Sequence, residues 1–436
     1  MLKRFLGSII FVLPLIISAQ GIKFENNLGW EQLKQKAKAE NKYIFIDAYA
    51  SWCIPCKKME NEVFQVKQVG DYINTHFISV RMQMDTSKND DENIKAMYDE
   101  AHALQQQYNI IAFPTYLFFS PEGNIVHRYS GAMQDSLFLK LTANALNPEK
   151  QYYSLLDAYK KGQKDYSKLS YLANISVRIG EDSLANRIAL DYLHNYINKL
   201  PEKELLLKKH LDFVTSFSSI LSSNDKPFQL FYKEGKKIDD ILGKQGMSKF
   251  IVLDIITKEE IQPRIWPNKK AIAIAPNWDV LTSILSKKYN SYYTDLAVLD
   301  AQLKWFKQKK DRQQEIKYTV RMYETYGLDT AGIGWALINN TLDALFFKYC
   351  NDKDTLNKAI GWMEMILKAH PDDWHDIDTY ANLLYKVGRK EEAINWERKA
   401  LQMEIEAAKK DSRDPNPEYQ ETLDKMKKGI PTWVSN

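Results

Sequence analysis

Apolar positions over the first third of the chain predict alternating helices and strands. Trp30, Leu33 and Ala37 recur at helical spacing with lysines between them, which predicts an opening amphipathic helix. Runs rich in apolar and β-branched residues predict the strands, which lie at 43–49, 77–84, 115–119 and 125–129. A second amphipathic pattern at 136–146 closes the series. This order of elements is typical of an α/β sandwich of about 130 residues.

After Asn147 the apolar residues recur mainly at intervals of three and four, which predicts an all-helical region over 149–436. Ala359 and Ala393 stand 34 residues apart, and Tyr380, Ala381, Gly388 and Ala400 form a pattern of small and large residues around Ala393. A period of 34 residues with small residues at fixed positions is typical of tetratricopeptide helix pairs. We therefore expect a helical solenoid, clearest over 340–407, with an irregular helical bundle as the alternative.

The extreme N-terminus resembles an export signal. Two positive charges precede an apolar stretch from Phe5 to Ile17, and small residues follow at Ser18 and Ala19. This is the layout of a secretory signal peptide, and the stretch is shorter than the roughly 20 residues of a spanning helix. We expect residues 1–19 to be removed and the mature chain to work in the periplasm or outside the cell. A retained membrane anchor is the alternative.

Composition excludes several classes of protein. The 436 residues carry a net charge of only +4, which gives no electrostatic reason to expect nucleic-acid binding. Three cysteines are too few for a disulfide-stapled scaffold or a four-cysteine zinc site. The seven histidines show no ligand spacing, so we expect neither a metal nor another cofactor.

The candidate chemistry lies at Cys53-Ile54-Pro55-Cys56, directly after the predicted strand 43–49. Cys53 would open a helix, where unpaired backbone N–H groups and the helix dipole lower a thiol pKa. Cys56, one turn later, could then close an intramolecular disulfide. We expect an accessible Cys53 and a shielded Cys56. A structural disulfide or half of a zinc site are the alternatives, although zinc would need two further ligands.

The segment from Asp47 to Lys57 resembles the active-site segment of the thioredoxin family, most closely its secreted and membrane-reductase-linked branches. Phe113-Pro114-Thr115 resembles the cis-proline segment of that family, and Gly123 and Gly131 match the glycines of its last hairpin. The resemblance covers about residues 24–147. The sequence therefore predicts a thioredoxin-like α/β sandwich at 20–148, followed by the helical region.

The resemblance implies roles for individual residues. Cys53 would be the nucleophile and Cys56 the resolving thiol of a redox disulfide, and Asp47 would be a buried acid with a raised pKa that accepts a proton. Arg81 lies where the family often has a lysine near that acid, and a basic partner there would pull the pKa of Asp47 back down. The expected client-binding residues are Trp52, Ile54, Pro55, Phe113 and Pro114.

These observations predict an exported thiol–disulfide oxidoreductase, acting as a reductase or interchange protein. Its partners would be protein disulfide or dithiol clients and an electron donor, with a further protein partner possible on the helical region and no stable membrane span after signal cleavage. We expect residues 20–148 to fold alone. The alternative is a non-catalytic interaction scaffold in which the thioredoxin-like fold serves for recognition.

Overall fold

The computed structural model describes residues 21–25, 28–328, 330 and 333–433. The predicted signal peptide lies outside these residues. Within the described ranges, no helix combines the length and the apolar character that crossing a membrane requires. The chain divides into a first compact unit that ends at Ile220 and a second that begins at Leu221.

A four-stranded sheet organises the first unit. Its strands are β1 (Tyr43–Tyr49), β2 (Phe77–Gln83), β3 (Thr115–Phe119) and β4 (Ile125–Ser130), so all four predicted strands are confirmed. The order across the sheet is β2-β1-β3-β4, with β2 parallel to β1 and the other neighbours antiparallel. Phe24 adds a parallel bridge to Ser79 beside β2. The apolar β1 is therefore an inner strand covered on both faces, as its continuous apolar run predicts.

Six helices accompany this sheet within the described residues: α1 (Trp30–Glu40), α2 (Ile54–Glu62), α3 (Lys67–His76), α4 (Glu92–Ala96), α5 (Tyr98–Gln107) and α6 (Asp135–Leu146). Successive β1 side chains point to opposite faces of the sheet, so the strand serves two cores. Ile44 and Ile46 pack in one cluster with Leu33 of α1. Phe45 packs in the other with Phe138 of α6. The result is the predicted α/β sandwich.

The first unit continues past the sandwich through α7 (Tyr152–Lys160), α8 (Tyr166–Arg178), α9 (Asp182–Asn195), α10 (Glu202–Leu205) and α11 (Lys208–Ser216). Both α7 and α8 pack against β4. The backbone N–H of Tyr152 donates to Nδ1 of His127 at 2.9 Å, and both His127 and Arg128 are buried. These helices therefore cover one side of β4. The division of the chain at 148 remains a prediction.

The second unit is all-helical in its described residues. Its helices are α12 (Lys226–Leu242), α13 (Met247–Ile256), α14 (Gln262–Ile265), α15 (Trp278–Leu285), α16 (Ser291–Lys309), α17 (Arg312–Tyr326), α18 (Gly334–Thr341), α19 (Lys353–Ala369), α20 (Trp374–Val387), α21 (Lys390–Lys410) and α22 (Pro417–Lys428). The small residues that carried the repeat pattern, Ala359 and Ala393, are completely buried in one core cluster. Their size allows α19, α20 and α21 to approach closely. The large helical region is therefore confirmed, and its tetratricopeptide character remains a proposal.

Candidate active site

Two cysteines meet where β1 passes into α2. Cys53 and Cys56 form a disulfide with their Cα atoms 5.3 Å apart. Cys53 is the N-cap residue of α2, and Pro55 is its second residue, where a missing backbone N–H breaks no helical hydrogen bond. The disulfide therefore lies at the start of a helix, as the spacing of the two cysteines predicts.

The start of α2 is chemically suited to a thiolate at Cys53. The backbone N–H of Cys56 points at Sγ of Cys53 at 3.1 Å. An N–H donor and the positive end of the helix dipole both favour negative charge on that sulfur. Because the thiolate is the attacking species in disulfide exchange, this arrangement prepares Cys53 rather than Cys56 for attack once the pair is reduced.

The expected difference in exposure between the two cysteines is absent from the disulfide-bonded structure. Cys53 and Cys56 are each only 2% exposed, so the expectation of an accessible Cys53 is wrong for this state. Phe113 and Tyr49 pack against the small buried cluster that the two cysteines form with Ala50. The neighbouring side chains are open instead, with Trp52 67% and Ile54 78% exposed.

The predicted cis-proline segment faces this pair. The Phe113–Pro114 peptide bond is cis, which confirms the prediction. Phe113 packs in the same small cluster as the two cysteines, and its ring lies 6.0 Å from that of Trp52 in an edge-to-face arrangement. The backbone N–H of Gly131 donates to the carbonyl of Pro114 at 2.9 Å. Residues from two separate segments of the chain therefore meet at the disulfide.

Asp47 is a buried acid on β1, six residues before the pair. It is 1% exposed, and burial raises its pKa from 3.8 to about 6, against the opposing effect of Arg81. Nε of Arg81 donates to one carboxylate oxygen at 3.1 Å. The other oxygen, Oδ1, is buried without a hydrogen-bond partner among the described residues. Burial thus outweighs the ion pair, and the predicted raised pKa and basic partner are both present.

Arg81 joins Asp47 to the active-site helix. Its Nη1 lies 2.6 Å from a carboxylate oxygen of Glu60 on α2, and its guanidinium lies 4.3 Å from the ring centre of Tyr49. The sequence pattern did not lead us to predict Glu60 as part of this site. Its position four residues after Cys56, on the same face of the helix, was the signal that could have identified it.

The comparisons with known proteins agree with this geometry over the first part of the chain. The family model described as "Thioredoxin-like domain" matches residues 30–146. The thiol:disulfide interchange protein DsbD of Pseudoalteromonas atlantica is 34% identical over 119 residues, which are 27% of this chain and 18% of that protein. DsbD of Haemophilus ducreyi is 34% identical over 94 residues, which are 21% of this chain and 14% of the relative. The chain therefore spans less than a fifth of these relatives.

Solved structures match a similar share of the chain. The solution structure of a putative disulphide-isomerase from Bacteroides thetaiotaomicron is 30% identical in sequence. The match covers 29% of this chain and 95% of the chain of that protein, with a TM-score of 0.25. A DsbH oxidoreductase is 19% identical and matches 32% of this chain and 94% of its own, with a TM-score of 0.27. Residues 30–146, which carry the disulfide, are thus a thioredoxin-like domain similar to thiol:disulfide interchange proteins.

Proposed function

We propose that this thioredoxin-like domain makes the chain an exported thiol–disulfide oxidoreductase that reduces or interchanges disulfides of client proteins. The observation that carries the proposal is the Cys53–Cys56 disulfide at the start of α2, with the cis Phe113–Pro114 bond beside it. A purely structural disulfide would need neither a cysteine at the N-terminus of a helix nor exposed apolar side chains around the disulfide.

The reaction begins from the reduced pair. The Cys53 thiolate attacks one sulfur of a client disulfide, so that a Cys53–client bond forms and the client's own S–S bond breaks. The electron pair of that bond stays on the departing client sulfur, which then takes a proton from water. The N–H of Cys56 and the helix dipole stabilise the attacking thiolate.

Cys56 completes the exchange. Its thiolate attacks Sγ of Cys53, the mixed disulfide breaks, and the second client sulfur leaves as a thiolate. The client gains two electrons, and the protein retains the Cys53–Cys56 disulfide. A dithiol electron donor must then reduce this disulfide by the same steps in reverse.

Asp47 is the candidate acceptor for the proton of Cys56. Its pKa of about 6 leaves it ionised at neutral pH yet basic enough to take a proton transiently. Arg81 and Glu60 connect Asp47 to the helix that carries Cys56. We assign Asp47 this role as part of the proposal.

The direction of net electron flow follows from the residues between the cysteines. Ile54 and Pro55 offer no positive charge to stabilise a thiolate strongly, and strong stabilisation of the reduced form is what makes an oxidant. We therefore favour a reductase or interchange role. Export to the periplasm or cell exterior fits disulfide chemistry, which persists in oxidising compartments.

The client would dock on the residues around the disulfide. Trp52, Ile54 and Pro55 are exposed, whereas Phe113 and Pro114 are progressively more buried beside the cysteines. An extended client segment could pair with the backbone at Phe113, as an added strand does at a sheet edge. The helical second unit would bind a client or partner, and a tetratricopeptide-like arrangement would supply surface for that purpose.

Insulin reduction by the full mature chain tests the proposal. Cys53→Ser should abolish activity, and Cys56→Ser should accumulate a mixed disulfide with the client. Cys350→Ser is the matched control, because Cys350 is a free, buried thiol in the second unit and should leave the rate unchanged. If Cys53→Ser reduces insulin as fast as the unmodified protein, the oxidoreductase proposal fails and the interaction-scaffold alternative takes its place.

A further inference from the structure

The loop that precedes Pro114 is tied to the helical part of the first unit. Arg128 on β4 is only 2% exposed. Its Nη2 donates to the carbonyl of Asn109 at 3.0 Å and to the carbonyl of Ile179 at 3.3 Å. Asn109 begins the loop that leads to the cis-proline, and Ile179 ends α8. One buried guanidinium therefore holds a loop of the active site against the corner between α8 and α9.

A direct contact joins the same two segments. Gly180, in the α8–α9 corner, has a φ of +78° and lies under Ile111, so that a Cβ atom at Gly180 would come within 2.5 Å of Cδ1 of Ile111. Glycine is the residue that adopts this left-handed conformation readily and also leaves room for the isoleucine. Ile111 nevertheless remains 67% exposed, so the corner supports its side chain without covering it.

The position of the corner is fixed by contacts with the sheet as well as by the loop. Tyr152 of α7 is buried and hydrogen-bonds through its backbone to His127 on β4. Its hydroxyl lies 3.3 Å from Oγ of Ser176 on α8. The chain from β4 through α7 to the end of α8 is therefore one packed assembly.

We propose that the α8–α9 corner is part of the client-binding site, with Ile111 extending the apolar surface around the disulfide toward the helices. The inference rests on the proposed function and names the client chemistry: a protein disulfide with a bulky apolar side chain next to the attacked cysteine. Arg128 is a positioning residue, because it acts through the loop and touches neither sulfur.

The apolar character of this surface determines the client class. Trp52, Ile54 and Ile111 are each more than half exposed, and large apolar side chains that remain exposed around a reactive centre mark an interaction surface. Ile111 lies two residues before Phe113, which packs on the cysteines. In the proposed site, a client side chain adjacent to the mixed disulfide contacts Ile111, and residues further along the client contact the corner.

A pair of peptide disulfides tests the preference in the full mature chain. The two peptides differ only in carrying Leu or Ser beside the attacked cysteine. We expect the unmodified protein to favour the Leu peptide about tenfold in kcat/KM, and Ile111→Ser to reduce that preference to less than about threefold, mainly through KM. Leu207→Ser removes a different exposed aliphatic side chain of the first unit and should retain the full preference.

Photo-crosslinking tests the corner itself. Benzoylphenylalanine is placed at the exposed Ser183 in the first turn of α9, in a Cys56→Ser background that traps the Leu peptide on Cys53. We expect crosslinking to the trapped peptide from position 183, and about tenfold less from Leu207. Equal crosslinking from the two positions, or an unchanged Leu preference in Ile111→Ser, overturns the inference. If the unmodified protein reduces neither peptide, the proposed function itself has failed.

Discussion

The buried carboxylate of Asp47 should make the first unit less stable as pH rises, and Asp47→Asn should remove that effect. Asparagine keeps the shape of the side chain and a carbonyl oxygen for the Nε–H of Arg81, but it cannot ionise. Arg81 keeps its ion pair with Glu60 in the variant. The substitution therefore isolates the consequence of burying a charge at this position.

The magnitude follows from the difference between the pKa values of the folded and unfolded chain. Burial raises the pKa of Asp47 from 3.8 to about 6. Between these values the folded protein keeps a proton that the unfolded chain has lost, so stability falls as pH rises through this window. The resulting destabilisation grows from about 0.5 kcal/mol at pH 4 to about 3 kcal/mol at pH 8. Relative to the unmodified protein, Asp47→Asn should gain about 2.5 kcal/mol over that range.

The measurement must report on the first unit within a chain that has two. Hydrogen peroxide oxidises methionines only when they become exposed, and Met82 on β2 is completely buried. Oxidation of Met82 along a urea gradient, followed by mass spectrometry at pH 4 and pH 8, gives the free energy of unfolding of this domain in the intact protein. The matched control is Asp71→Asn, which removes a carboxylate that is 59% exposed.

A constant difference between Asp47→Asn and the unmodified protein at the two pH values would refute the reasoning. It would mean that the carboxylate is as well solvated in the folded state as in the unfolded chain. If Asp47→Asn gained more stability at pH 4 than at pH 8, the pKa of Asp47 would be lowered by folding rather than raised. The ion pair with Arg81 would then outweigh burial.

Three further outcomes are expected. Burial lowers the pKa of His127 to about 4, so the contribution of this imidazole to stability falls as pH falls from 6.5 toward 4, opposite in sign to that of Asp47. The stability of His127→Asn relative to the unmodified protein should therefore rise by about 2.5 kcal/mol over this range in the same Met82 assay. A fragment of residues 21–220 should melt at a higher temperature than one of 21–148, because the shorter fragment exposes Arg128 and the side of β4 that α7 and α8 cover; equal melting temperatures would show that these helices contribute nothing to the sandwich. In reduced Cys56→Ser, thiolate absorbance should titrate at a Cys53 pKa below the free value of about 8.5, and a value at or above it would contradict the helix-start argument.

Local pattern was sufficient for the elements and for the reactive pair. The apolar run of β1 and the spacing of Cys53 and Cys56 place a thiol at a helix start, because the cap, the Pro55 position and the backbone donor all lie within four residues. The resemblance of the Phe113–Pro114 segment supplied the cis bond, which is present. The buried acid Asp47 and its basic partner Arg81 were also implied by the family resemblance.

Only the tertiary structure decided which surfaces are covered. The burial of Cys53 depends on Phe113, sixty residues later in the chain. The bond from Arg128 to Ile179 spans 51 residues, and the packing of Gly180 under Ile111 joins the loop before Pro114 to the end of α8. A pattern of apolar positions predicts which residues are buried, but it does not predict which distant segment packs on them. For this reason the sequence determined the chemistry of the pair, whereas folding decided its solvent access and the extent of the surface around it.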